Sequence, residues 1–261
     1  MAVPEAVRRE ARKELARRYF YDYCRIKYPK HYTSDRTYLE DLCNRVQAFD
    51  EQNQKRFLVI NIPPSHYKSF TAGNFVEWRF GADPTREVMT GSYNETLSTT
   101  FARKVRDTIY EAPSDGVVVH RDIFPSTKVM YGQAAMNKWS LEGSGQDNYL
   151  ATSPTGTATG FGANDIVLDD IVKNDTEAYS DLVLDKHWSC LTNTMLSRTE
   201  GSDWKVYVFM TRWAQGDIAG RIIDAFGDEV EVITYKAVQK DGSMLCESIL
   251  NCRDFDLKPE R

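Results

Sequence analysis

The sequence predicts an α/β fold in which helices flank a mainly parallel sheet. Short apolar segments that have the pattern of buried strands alternate with longer helix-forming segments, which is typical of βαβ units. Three of the predicted strands are followed by polar residues, after Ile62, Leu168 and Met210. Because open α/β sheets bind ligands at the carboxyl ends of their strands, we expect these three points to form one site.

The elements can be predicted in chain order. Residues 5–28 have a helical pattern that Pro29 ends, and a second helix should follow Ser34 as its N-cap. Further helices are expected at 68–80, 93–110, 177–198 and about 216–226. Strands are expected at 57–62, 87–91, 165–168 and 205–210, with short β-like pieces at 129–131, 139–141 and 149–152.

Composition narrows the class of protein. The 261 residues suffice for one large α/β domain, or for a core with a small appended subdomain. There is no apolar run of about 18 residues and no signal-peptide pattern, so no membrane segment is expected. The five cysteines form no CxxC pair, which argues against zinc and suits a reducing cytoplasm. A net charge of -5 indicates that any contact with DNA is local.

The segment 63–69, Pro-Pro-Ser-His-Tyr-Lys-Ser, lies between a predicted strand and a predicted helix, where a helix N-terminus can bind phosphate. The residues expected around the phosphates are Pro64, Ser65, His66, Tyr67, Lys68 and Ser69. Lys68 could reach the β- and γ-phosphates and Ser69 could coordinate Mg²⁺. The usual GxxxxGK[ST] pattern has glycines where Ile62 and Tyr67 stand, so a plain strand–turn–helix junction is the alternative. Because Tyr67 stands in place of a glycine, the loop must take a conformation that tolerates a β-carbon.

Two further strand ends carry candidate catalytic groups. Asp169 would hold Mg²⁺ and Asp170 would orient or deprotonate the attacking water, although aspartates are also common in strand-end turns. Thr211 and Arg212 follow the next strand, where a hydroxyl and a cation could sense the γ-phosphate. The alternative for Thr211 is that it caps the following helix.

These motifs together resemble the large terminase subunits of tailed bacteriophages. That family has a PPRHGKS-like loop, a GxG segment, an apolar strand ending in DDPVK, and a TRW motif followed by an acidic residue. The matching segments here are 63–69 (PPSHYKS), 159–164 (TGFGAN), 168–174 (LDDIVKN) and 211–217 (TRWAQGD). Their order and spacing agree across nearly the whole chain. Two departures are Ser65, where arginine is common, and Asp170, where related ATPases have glutamate.

The resemblance implies an ASCE-type P-loop ATPase that uses ATP and Mg²⁺ to move double-stranded DNA into a procapsid. It implies the portal protein and the small terminase subunit as partners, self-association into a ring on the portal, and a location in the host cytoplasm. The core is expected at 31–218, with 1–30 and 219–261 forming a small lid. The acids after Asp228 are too few for a nuclease domain, so a truncated chain is expected. Arg103 and Arg106 are candidate arginine fingers for a neighbouring subunit, unless they are merely solvated.

Two other functions remain open from the sequence. One is a helicase-like nucleic-acid translocase. The observation against it is that the sequence shows no second motor domain. The other is a nucleotide-binding module that assembles a ring but hydrolyses little, which the missing loop glycines favour. A phosphate-release assay with Mg²⁺-ATP would separate this module from the two enzymes.

Overall fold

The computed structural model describes residues 4–154, 156, 158 and 160–251. Thr159 of the GxG segment, and residues 1–3 and 252–261 of the predicted lid, lie outside the described residues. The helices are α1 Glu5–Arg18, α2 Phe20–Lys27, α3 Thr37–Glu51, α4 Lys68–Ala82, α5 Glu95–Tyr110, α6 His120–Ile123, α7 Asp175–Ala178, α8 Asp181–Ser189 and α9 Ile218–Phe226. The strands are β1 Phe57–Asn61, β2 Val88–Gly91, β3 Val129–Ala134, β4 Lys138–Leu141, β5 Tyr149–Thr152, β6 Asp165–Asp169, β7 Lys205–Met210 and β8 Val230–Thr234.

The strands form one sheet in the order β3-β4-β5-β2-β6-β7-β1-β8. The strands from β5 to β8 in this order are parallel, and β4 pairs antiparallel with both β3 and β5. β7 lies between β1 and β6, which is the strand insertion of an ASCE-type P-loop sheet. The predicted α/β fold class is therefore confirmed, and the carboxyl ends of β1, β7 and β6 lie side by side.

Both faces of the sheet are covered, which explains why its central strands are continuously apolar. On β1, Leu58 and Ile60 pack into a cluster with residues of α2, α3, α4 and α5. Phe57 and Val59 point to the opposite face, into a cluster that includes α8 and α9. Within the described residues no helix is long and apolar enough to cross a membrane.

The structure corrects the predicted core boundary at residue 218. β8 pairs in parallel with β1 from Phe57↔Val230 to Asn61↔Thr234, so the sheet continues well into the segment assigned to a lid. α9 also belongs to the core, because Ile218 and Ile222 are fully buried against the sheet. The core therefore extends at least to residue 234.

Three predicted helices also differ from the structure. The first is interrupted at Tyr19, whose φ of -121° and ψ of 123° are extended. The second begins at Thr37 with Arg36, and not Ser34, as its N-cap. The helix expected at 177–198 is divided into α7, α8, a π-helical segment Cys190–Met195 and a 3-10 turn Leu196–Arg198.

Candidate phosphate-binding site

The loop after β1 brings Lys68 and Ser69 to the first turn of α4. Tyr67 is the N-cap of α4 and has left-handed backbone angles, φ 59° and ψ 21°. Ser65 also has a positive φ, of 66°. Left-handed angles are allowed for a residue with a β-carbon but cost it about 1 kcal/mol, so the loop conformation that Tyr67 was expected to require is adopted under strain.

The Tyr67 side chain packs against neighbours that help to hold this conformation. Its ring centroid lies 5.3 Å from that of His31 and 6.2 Å from that of Phe70. The Arg36 guanidinium lies 4.8 Å from the centre of the Tyr67 ring, in a cation–π contact. Aromatic packing thus offsets the backbone strain that a glycine would not have.

His66 does not face the phosphate side of the loop as the sequence suggested. Its ring is buried, and Nδ1 donates a hydrogen bond to the Pro64 carbonyl oxygen at 2.8 Å. Burial lowers the pKa of His66, so the ring is neutral near pH 7. The imidazole therefore stiffens the loop from inside, and Pro64, Ser65, Tyr67, Lys68 and Ser69 are left to line the adjacent cavity.

Two contacts join the loop to Asp169, the last residue of β6, and to Asp170, which follows it. The Lys68 ammonium donates a hydrogen bond to Asp170 Oδ1. The Ser69 hydroxyl donates to Asp169 Oδ1 at 2.9 Å. Asp169 is almost completely buried, and Asp170 has a positive φ of 47°. The two predicted acids therefore have different partners, as different roles require.

The pKa of Asp169 is raised to about 7, mainly by burial and further by the charge of Asp170. Lys68 and the Ser69 hydroxyl act in the opposite direction, because both stabilise the ionised carboxylate. A divalent cation near Asp169 would stabilise the same ionised form. The positive charge and the hydrogen-bond donor near Asp169 therefore do not fully compensate the cost of ionising this buried carboxylate.

Thr211 joins the end of β7 to the same group. Its hydroxyl donates to the Ile62 carbonyl oxygen at 3.2 Å and accepts a hydrogen bond from Lys68 Nζ at 3.3 Å. Thr211 does not cap α9, because that N-cap is Asp217, which accepts from the Gly220 amide at 3.0 Å.

The Arg212 guanidinium is engaged by residues of the turn that follows β7. Its Nε donates to Asp217 Oδ2 at 3.0 Å, and one terminal nitrogen donates to the carbonyl oxygens of Ala214 and Gln215. This cation therefore stabilises the turn before α9.

A cavity of about 420 Å³ opens at these strand ends, a volume suited to a small ligand. The side chains around it that bear on its chemistry are Lys68, Ser69, Tyr93, Asp170, Lys173 and Thr211. Sequence analysis gave Tyr93 and Lys173 no role. The available signal was their position, since each follows a parallel strand that ends at this edge, β2 or β6.

A second cavity, of about 820 Å³, is lined by residues of α4 and α5 and by Asp169 and Asp170. Arg103 lines this cavity. Arg106 is directed elsewhere, donating to Asp107 Oδ1 at 2.7 Å and to the Ala135 carbonyl oxygen at 3.4 Å. Of the two candidate arginines, Arg103 therefore lines the cavity that reaches the aspartates and Arg106 does not.

The donor groups fit a hard divalent cation. Ser69 and Asp169 present a hydroxyl and a carboxylate 2.9 Å apart. They lie at the end of the segment 63–69, which we call the phosphate loop. Among the described residues, no cluster of three or more His, Cys, Asp or Glu side chains could hold a metal. A cation at Ser69 and Asp169 would therefore complete its shell with water and ligand oxygens, as Mg²⁺ does at phosphate sites.

Comparison with known proteins identifies the family. The family model described as "Terminase large subunit, T4likevirus-type, N-terminal" matches residues 59–251. This chain belongs to that family. The match to this terminase family includes Lys68, both aspartates and Thr211. It also continues beyond residue 218 through β8, in agreement with the extent of the sheet.

A solved structure of a terminase is also similar. It is the crystal structure of the HK97 bacteriophage large terminase, with a TM-score of 0.46 and 10% sequence identity. The alignment covers 71% of this chain and 36% of that one, so this chain spans about a third of the length of the HK97 protein. The comparison with curated proteins gave no match.

Proposed function

We propose that this terminase-family domain is a Mg²⁺-dependent ATPase that drives double-stranded DNA into a procapsid. The observation that carries the proposal is the joining of Lys68 to Asp170 and of Ser69 to Asp169 at adjoining strand ends. Membership of the terminase family supports the packaging role. A lysine, a hydroxyl and two carboxylates are the groups that P-loop phosphoryl transfer needs.

Each side chain has a distinct role in this proposal. Lys68 compensates the charge of the β- and γ-phosphates, and the α4 N-terminus contributes backbone N–H groups. Ser69 and Asp169 hold the cation, which when bound neutralises charge developing on the phosphates. Asp170 orients the attacking water or accepts its proton. Thr211 positions the Lys68 ammonium, because its hydroxyl accepts a hydrogen bond from Lys68 and is itself anchored to the Ile62 carbonyl oxygen.

The Lys68–Asp170 bond suggests how nucleotide binding prepares the site. Without nucleotide the Lys68 ammonium is bonded to Asp170 Oδ1, so that oxygen is not free to bind the attacking water. The triphosphate competes for the Lys68 ammonium. Asp170 is then released toward water, which couples binding to the readiness of the base.

The remaining parts of the proposal concern assembly. The portal protein, the small terminase subunit, double-stranded DNA and further copies of this chain in a ring are the expected partners, at the procapsid portal in the host cytoplasm. Arg103 is the better candidate for an arginine finger, since it is exposed and lines a cavity that reaches the aspartates of its own chain, and whether it acts in cis or on a neighbour is for experiment to decide. Arg106 is the weaker candidate, because its guanidinium already has partners.

Phosphate release from Mg²⁺-ATP, with and without double-stranded DNA, tests the proposal, and equilibrium nucleotide binding is measured beside it. Lys68→Ala should abolish turnover with the fold retained, and Lys186→Ala, an exposed lysine on α8, is the matched control. Binding that depends on Lys68 without turnover would indicate a ring-assembly module. Absence of both binding and turnover in the wild-type protein would reject the proposal.

A further inference from the structure

One cationic side chain that lines the cavity beside the phosphate loop has no role in the function proposed above. Lys68 and Lys173 are the two cationic side chains that line it among the described residues. Lys68 is already bonded to Asp170 and Thr211. Ser65 brings no charge to the loop, and Arg212 is bound to Asp217 and two carbonyl oxygens. Lys173 is therefore the remaining positive charge on this rim.

The turn that carries Lys173 is anchored on both sides. Ile171 and Val172 are 5% and 2% exposed, so the backbone between Asp170 and Lys173 is pinned to the core. The Lys173 amide donates to Glu177 Oε2 at 3.0 Å, which ties the turn to α7. The Lys173 residue itself is exposed, and its ammonium forms no ion pair with a carboxylate whose side chain the structure describes. A fixed backbone thus presents a long, flexible cation to the cavity.

We propose that Lys173 faces the terminal phosphate in cis and stabilises the charge of the transferring phosphoryl group; this inference rests on the proposed ATPase function. Lys173 and Asp170, the residue proposed to orient the attacking water, line the same cavity three residues apart on one turn. A charge there acts on the terminal phosphate more than on the phosphates nearer the ribose. Fixed cations aimed at developing charge are a main source of rate in phosphoryl transfer.

The test compares Lys173→Ala and Lys173→Arg with the Lys186→Ala control. Dissociation constants are measured for Mg²⁺-ADP and for a non-hydrolysable Mg²⁺-ATP analogue, and turnover is measured separately. Lys173→Ala should weaken binding of the analogue, leave ADP binding unchanged, and lower turnover by on the order of 10- to 100-fold. Lys173→Arg should restore most of each loss because it keeps the charge. Lys186→Ala should resemble wild type.

The outcomes are distinguishable. If the wild-type protein binds and hydrolyses ATP while Lys173→Ala matches Lys186→Ala, the inference about Lys173 is rejected and the ATPase proposal stands. Equal losses for ADP and the analogue would also reject it, because a cation at the terminal phosphate must discriminate between them. A wild-type protein that binds neither nucleotide would reject both proposals.

Discussion

Lys68 and Asp170 are 102 positions apart in the chain, yet the ammonium of one donates a hydrogen bond to the carboxylate of the other. The Lys68 side chain is 7% exposed and that of Asp170 is 34% exposed, so the pair lies at the boundary between the core and the open cavity. Breaking a pair in this position requires a partner that offers comparable negative charge to the lysine. A bound triphosphate would meet that requirement, so under the proposed function Asp170 would be bonded to Lys68 without nucleotide and released from it when nucleotide binds.

Asp170→Asn should separate binding from turnover. The φ of 47° at Asp170 is in the left-handed region, where asparagine is one of the best tolerated residues, so the backbone should keep its course. Nucleotide affinity should be retained or slightly increased, because Lys68 loses a competing carboxylate. Turnover should fall by about 10²–10³-fold, the usual cost of removing one preorganised catalytic group. Isothermal titration and phosphate release measure the two effects, and weakened binding with unchanged turnover would make Asp170 structural.

Asp169→Asn should stabilise the nucleotide-free protein while abolishing Mg²⁺-dependent hydrolysis. The pKa of Asp169 is raised to about 7, so the folded state holds a proton that the unfolded chain releases near pH 4. This group's contribution to stability therefore declines as pH rises from about 4 to 7. Above pH 7 the buried charge remains as a cost of at least about 1 kcal/mol, since one pKa unit is about 1.4 kcal/mol.

Urea unfolding in the presence of a chelator checks this prediction at pH 5 and pH 8. The free energy of unfolding of Asp169→Asn should exceed that of wild type more at pH 8 than at pH 5. Asp203→Asn is a useful comparison, since Asp203 is bound to Arg86, which lowers its pKa although partial burial opposes this. Because Asp203 is ionised in both the folded and the unfolded chain at pH 5 and above, the stability difference between that variant and wild type should be the same at pH 5 and pH 8. The same pH trend in both variants would contradict the assigned environment of Asp169.

Substitutions of Tyr67 can reveal the backbone strain in the phosphate loop. Tyr67→Ala and Tyr67→Gly both lose the contacts with His31, Phe70 and Arg36, but only glycine is relieved of the left-handed conformation. The glycine variant should be more stable than the alanine variant by about 1 kcal/mol. At Phe70, within α4, the order should reverse, because glycine costs about 0.5–1 kcal/mol in a right-handed helix. If alanine is the more stable at both positions, the left-handed loop conformation is wrong.

The parts of the fold that the sequence predicted well are those with a strong local pattern. β1, β6 and β7 are continuously buried, and their apolar runs are visible without any tertiary information. β8 was missed because it has a mixed pattern, with Glu231 and Thr234 among apolar residues, as an edge strand can have. Its place in the sheet depends on pairing with β1, which no local pattern encodes.

The break between α1 and α2 illustrates the same limit. No glycine or proline marks Tyr19, and the helical pattern continues through it. Gln47 of α3 satisfies the interrupted backbone, accepting a hydrogen bond from the Phe20 amide at 2.8 Å and donating to the Arg18 carbonyl oxygen at 2.9 Å. A side chain 27 positions away thus makes the break stable.

The site was predictable only as far as strand ends identify it. Lys68, Ser69 and Asp169 follow from the position of each residue after an apolar run. The inward turn of His66 and the place of Lys173 on the cavity rim depend on how the connecting loops fold. These loops have little periodic pattern, so their side-chain directions come from tertiary contacts.

The last prediction concerns whether Arg103 completes the site of its own chain or that of a neighbour. Arg103 is exposed on α5 and lines the cavity that reaches Asp169 and Asp170. If a neighbouring copy must supply the arginine, an isolated domain should hydrolyse ATP slowly, and turnover per chain should rise with protein concentration. An arginine finger supplied in this way is worth about 10³–10⁵ in rate. Arg103→Ala should remove the rise and Arg106→Ala should keep it, since Arg106 is engaged with Asp107.

Mixing Lys68→Ala chains, which lack turnover, with Arg103→Ala chains, which lack the rise, decides the geometry. Lys68→Ala chains retain Arg103, and Arg103→Ala chains retain an intact phosphate loop, so a mixed assembly contains interfaces where both groups are present. Activity recovered on mixing, with a maximum near equal amounts, would show that Arg103 acts across the interface. No recovery, together with constant specific activity of the wild-type protein over a wide dilution series, would show that one chain completes its own site. The finger in trans would then be rejected, because the charge it was meant to supply would already be present within the chain.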